Sequence, residues 1–156
     1  MNELKHDPQA PAGADRANDL GYAPMDKVHA EFDELLQRAA TVQAAAEWPP
    51  LLREIDAHLH QHFEAEDRWM RETDFPPRDC HIDEHAAVLK SSGEVLALAE
   101  QGNVNPAPSF VAELARWFPG HADYLDSALA AWMCKRTFGG KPVVLHRKKG
   151  DGASAA

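Results

Sequence analysis

Along most of the chain, apolar side chains recur at alternating steps of three and four, the spacing that keeps one face of an α-helix dry. Four such segments are predicted, separated by Pro, Gly and Asn. The first spans about 24–47, with Pro24 suited to an opening turn; its inward positions are Met25, Val28/His29, Phe32, Leu35/Leu36 and Ala39. The second follows WPP, spans about 50–73, and carries Ile55, Leu59, His62, Glu66 and Trp69/Met70. The third follows FPP, spans about 78–101, and carries His81, His85, Val88/Leu89, Ser92, Val95/Leu96 and Ala99. The fourth follows GNVNPAPS, with Ser109 as the expected N-cap. It runs to about Arg136 through Phe110, Leu114, Trp117, His121, Leu125, Ala128 and Trp132.

No strand-like alternation appears. Four rods, each roughly 35–40 Å long and joined by short loops, predict an all-α fold: an antiparallel up-down-up-down four-helix bundle. Residues 1–20 lack periodicity and read as a flexible arm. Residues 21–137 form the bundle, and 138–156 a basic tail.

Charge narrows the partners. The chain of 156 residues carries a formal −9, with six Lys or Arg against one Asp from Lys135 onward. An acidic body argues against nucleic acid, whose binders are usually basic. No run approaches the roughly 18 apolar residues of a membrane span, and the N-terminus has no signal-peptide core, so a cytoplasmic setting is expected. Cys80 and Cys134 form no CxxC pair and read as free thiols.

Polar residues interrupt the dry stripe on every predicted helix. The first carries His29, the second His62 and Glu66, the third His81 and His85, the fourth His121 and Asp126. Residues four apart on a helix share a face, offset by roughly 40°. A buried imidazole or carboxylate costs several kcal/mol unless paired or metal-bound, so seven of them aimed at one core imply a metal centre. Five imidazoles and two carboxylates exceed a closed zinc site and are too rich in nitrogen for calcium or magnesium. They suit first-row metals such as iron. With two six-coordinate metals, five His, two bridging carboxylates and one bridging oxygen leave a single position vacant, as binding of a small diatomic molecule requires.

The ordered set H…HxxxE…HxxxH…HxxxxD resembles the hemerythrin family, specifically its bacterial members, over about residues 22–135. That resemblance implies a bundle holding two iron ions (Fe2+/Fe3+), bridged by an oxo or hydroxo ligand, that binds O2 at one iron. His81, His85 and His121 would then hold the fully coordinated iron, and His29 and His62 the iron with the vacancy. Glu66 and Asp126 would bridge. The surroundings are similar too: DxxH around His29, Phe63 beside His62, and Trp117 four residues before His121. Phe32, Phe63, Trp117 and Leu129 are candidates for the dry wall of the O2 pocket.

Two features strain a regular fourth helix. Five residues separate His121 from Asp126, roughly 140° apart in an α-helix, so Asp126 enters from the side or the helix widens into a π-bulge. Pro119 lies inside the helix and is expected to bend it. Of the other histidines, His58 is expected to pack partly at the bundle end and His60 to face solvent, while His6 and His146 fall in the arm and tail. Cys80 is read as structural or incidental.

Three functional readings follow. Reversible O2 binding, for storage, delivery or sensing, is the first. An enzyme acting on peroxide or nitric oxide at the same centre is the alternative, and a zinc-stabilised interaction bundle the third. Di-iron oxidases use paired Glu-x-x-His motifs and carboxylate-rich sites, whereas the Glu-x-x-His here is Glu3–His6, in the arm. Structural zinc sites are closed. Both comparisons favour O2 binding by a non-enzyme.

Overall fold

The structure, a computed structural model, describes residues 19–139. Helix α1 spans Ala23–Ala40, α2 Trp48–Glu72 and α3 Arg78–Glu100. The fourth rod comprises α4 (Ala107–His121), a π-helical turn at Ala122–Asp126 and α5 (Ser127–Phe138). Helix α1 packs on α2 and α4, α2 on α3, and α3 on α4, closing a four-helix bundle. Among the described residues there is no strand, and no helix is long and apolar enough to cross a membrane. The expected arm and tail fall almost wholly outside those residues, as do His6 and His146.

The stripes predicted for the first three helices are the ones that turn inward. Met25, His29, Phe32 and Ala39 are buried on α1, and Ile55, Leu59, His62, Glu66 and Met70 on α2. On α3, His81, His85, Ser92 and Ala99 are buried. Removing a large apolar side chain such as Phe32 or Leu59 from water stabilises the fold by roughly 1.5–3 kcal/mol.

Helix boundaries differ from expectation at two places. Helix α1 ends at Ala40 rather than near Glu47, and a single 3-10 turn at Ala45–Glu47 leads into α2. The Glu47 carboxylate accepts hydrogen bonds from the Gln43 and Ala44 N–H groups at 3.0 and 2.7 Å, pinning the loop. This reversal seats Trp48 under the bundle end, where it is buried. Helix α4 opens at Ala107 with Pro106 as N-cap, so Ser109 lies in the first turn and caps nothing. Pro108 suits that turn because its missing N–H has no intrahelical partner to lose. At the end of α3, Gly102 takes a φ of 93° and the N–H groups of Gly102 and Asn103 bond back to Ala99 and Leu98 at 3.0 and 2.9 Å. A side chain would strain that turn.

The fourth rod carries the clearest correction. Its buried stripe runs Ala107, Val111, Leu114, Phe118, His121, then Asp126, Leu129, Ala130, Met133 and Cys134. The expected Phe110 and Trp117, ahead of the turn, and Leu125 and Trp132 beyond His121 are only partly buried, and Ala128 is exposed. The π turn adds one residue to a helical turn, so a five-residue step does the work of four and every later position shifts by one. Of the two routes open to Asp126, the π turn is the one adopted. Helix α4 runs through Pro119 without interruption. The carbonyl deprived of its bond by Pro119 belongs to Ala115, and both residues are exposed, so the loss falls on the solvent side of the helix.

Candidate metal centre

Two apolar clusters fill the bundle, and the polar side chains form a layer between them. One cluster contains Phe32, Ile55, Leu59, Phe63 and Phe118. The other contains Met25, Met70, Phe75, Leu129 and Met133. Along α1 the order is Met25, His29, Phe32; along the fourth rod it is Phe118, His121, Asp126, Leu129. All seven expected ligand positions lie in this layer, each no more than 5% exposed.

The five imidazoles present the same nitrogen to the centre. Nε2 of His62 is 2.9 Å from Glu66 Oε1, and Nε2 of His81 is 2.9 Å from Asp126 Oδ1. His29 Nε2 is 3.1 Å from Asp126 Oδ2, His121 Nε2 is 3.1 Å from Asp126 Oδ1, and His85 Nε2 is 3.3 Å from Glu66 Oε2. The carboxylates divide their oxygens. Glu66 turns Oε1 to His29 and His62 and Oε2 to His81 and His85. Asp126 turns Oδ2 to His29 and Oδ1 to His81 and His121.

Two overlapping donor sets result: Glu66, His81, His85, His121 and Asp126, and His29, His62, Glu66 and Asp126. Within each, the ligand atoms all lie within 4.8 Å of one another. The donors fit a cation better than they fit each other. His29 Nε2 and Asp126 Oδ2 are 3.1 Å apart, yet both are buried without a hydrogen bond, as is Glu66 Oε2. His85 Nε2 and His121 Nε2 also meet at 3.2 Å. Such atoms converge on shared points, which a metal ion with imidazole and carboxylate ligands would occupy.

Electrostatics in the cluster is that of closely packed opposite charges. Burial opposes charge on His29 and His81, but Asp126 and Glu66 outweigh it and raise each pKa to about 9. Burial likewise opposes charge on His85, where Asp67 and Glu66 reverse the effect and raise the pKa. Burial would raise the Glu66 pKa, yet four surrounding imidazoles hold it well below the usual carboxylate value. Burial and the nearby Glu66 charge push Asp126 up, and the facing imidazoles of His121, His29 and His81 bring it below the usual value.

Several partners escape a reading of the stripes. Asp67 Oδ1 lies 2.7 Å from His85 Nδ1. Glu84 Oε1 accepts from Trp117 Nε1 at 2.7 Å and lies 3.4 Å from His121 Nδ1. Phe118 meets His29 edge-on with ring centres 5.0 Å apart, and Phe32 at 4.8 Å. The signal was present for the carboxylates, since each adjoins a ligand position in EAED and DEH, but both lie off the dry stripe.

Of the four wall candidates, Phe63 stacks on His85 at 4.0 Å, and Trp117 lies 4.3 Å from His121 on its outer side. Phe32 reaches His62 edge-on at 6.3 Å. Leu129 sits apart from these three, in the second apolar cluster. His58 stacks on Phe32 at 5.6 Å and is half-buried; burial, with His62 and His29 nearby, lowers its pKa to about 4. His60 is exposed between Asp56 and Glu64. Cys80 is exposed and free; Cys134 is buried and free.

Comparison with known proteins agrees with this geometry. The family model described as Hemerythrin HHE cation binding domain matches residues 20–133. A protein named Bacteriohemerythrin from Ralstonia nicotianae is 37% identical over 117 residues, covering 75% of this chain and 85% of the relative. No solved structure gives a significant match. With the family model spanning the bundle and its layer of His, Glu and Asp side chains, the chain belongs to the hemerythrin HHE family.

Proposed function

We propose that the chain binds O2 reversibly at a non-haem pair of iron ions. The observation that carries this reading is the division of carboxylate oxygens: Glu66 and Asp126 each offer one oxygen to the His29/His62 side and the other to the side of His81. Carboxylates so placed would bridge two ions. His81, His85 and His121 would hold one, His29 and His62 the other. Set against five donors on one side, the four on the other leave that side the natural place for a vacancy.

When bound, the iron pair supplies the open position and the electrons for O2. The chain supplies the environment. Phe32, Phe63 and Phe118 keep one side of the layer dry, and Leu129 with Met25 closes the other. Trp117 backs His121 from outside. Exclusion of water and protons by these walls would slow loss of superoxide and ferric trapping. Carrying or sensing O2 in the cytoplasm, rather than turning over a substrate, is part of this reading.

The test is metal content after anaerobic purification, joined to an O2 titration followed by optical absorption. Two irons per chain and a spectrum that develops in air and reverses under argon are expected. One ion per chain, or irreversible bleaching on first exposure, would overturn the reading.

A further inference from the structure

The two donor sets differ in what stands behind the imidazoles. His85 Nδ1 donates to Asp67 Oδ1 at 2.7 Å, and the Asp67 side chain is only 15% exposed. His121 Nδ1 faces Glu84 Oε1 at 3.4 Å, and Trp117 Nε1 steadies that carboxylate from 2.7 Å. On the other side, His62 Nδ1 is buried with no hydrogen-bond partner, and the carboxylates near His29 meet it at Nε2. His81 Nδ1 also lacks a partner, so the contrast rests on His85 and His121.

A carboxylate behind an imidazole fixes the Nδ1–H tautomer, aims the Nε2 lone pair inward and makes it more basic; its loss typically lowers metal affinity 10–100-fold. Donor number works in the same direction, with five ligand atoms against four. We propose that the two halves load in order: the His81/His85/His121 set takes the first divalent ion, and Asp67 and Glu84 are the positioning residues that impose this preference. The His29/His62 set fills second and empties first. The inference rests on the two-ion reading above. It gives the protein a one-ion state in which the bundle keeps its central ion while the side reading as the gas site stands open. Scarcity of metal would then silence O2 binding before it threatened the fold.

Zinc added to the metal-free full chain tests the order, with imidazole ring protons followed by NMR. The first equivalent should shift His81, His85 and His121, and the second His29 and His62. Asp67→Asn should weaken the first equivalent about 10–100-fold while leaving the second within a few-fold. Glu84→Gln should do the same to a smaller degree, because its contact is longer, and Asp67→Glu should recover part of the loss. Simultaneous movement of all five rings, movement of His29 and His62 first, or unchanged first-equivalent affinity in both Asp67→Asn and Glu84→Gln overturns the proposal. Zinc carries no O2, so the two readings fail separately. Ordered loading without O2 uptake by the iron protein sinks the gas-binding reading alone, and O2 uptake with unordered loading sinks this one alone.

Discussion

His81 Nε2 lies 2.9 Å from Asp126 Oδ1, a contact that joins residues 45 apart in the chain. It exists because the π turn brings Asp126 back onto the face of His121, from which it reaches across to α3. Asp126 thereby meets histidines from three rods: His29, His81 and His121.

Asp126→Asn should therefore damage metal binding more than any single-partner change. The amide keeps the volume but loses the charge and one acceptor oxygen. If the chain holds two ions as proposed, metal content is expected to fall toward one, measured by elemental analysis of protein loaded with excess iron. Two tightly held ions in the variant would remove Asp126 as a bridge.

The charge cluster dictates how the metal-free protein responds to pH. For His29 and His81 the folded pKa, about 9, exceeds the ordinary 6.5. Their contribution is fully present below pH 6.5 and is lost as pH rises through 9. Glu66 and Asp126 are shifted down, so their contribution is present above the ordinary carboxylate range and lost on acidification. His58, lowered to about 4, also sheds stability between 6.5 and 4. Stability should peak at about pH 6–7, with a urea midpoint clearly lower at pH 9. A midpoint that climbs from pH 6.5 to 9 contradicts these assignments.

Metal uptake should release protons at neutral pH, since His29 and His81 carry them in the metal-free protein and must shed them to act as ligands. Calorimetric titrations in two buffers of different ionisation enthalpy measure the number. Equal heats in both buffers would mean that these imidazoles are already neutral.

Phe32→Ala separates wall from scaffold. Phe32 is fully buried between His58 and Phe118, and its truncation should cost about 3–5 kcal/mol of stability, read by denaturant unfolding. The opened wall should also speed autoxidation of the oxygenated protein. A stability loss with an unchanged autoxidation rate would leave Phe32 in the core and take it out of the gas pocket.

Ser92, two helical turns beyond His85 on α3, offers a check outside the candidate ligands. Its hydroxyl donates to Asp56 Oδ1 at 2.7 Å, linking α3 to α2. Ser92→Ala should lower stability by about 1–3 kcal/mol without altering metal content. Altered stoichiometry would show that this link reaches the site.

The chain's own periodicity determined the four rods, the inward faces of the first three, and the presence on every face of imidazoles or carboxylates that a dry core could not leave unsatisfied. Those features are local: a three-and-four repeat names the buried side of a helix whatever that helix packs against. Tertiary structure alone decided the rest. The five-residue step from His121 to Asp126 left a π turn and a sideways entry both open. Seating the two side chains at one centre decided for the turn and moved the buried face from Leu125, Ala128 and Trp132 to Asp126, Leu129 and Met133. Which carboxylate oxygen faces which imidazole, and the support of His85 by Asp67 and of His121 by Glu84, are relations between different helices. They are fixed by how the rods are turned against one another, and spacing along a single rod does not contain that information.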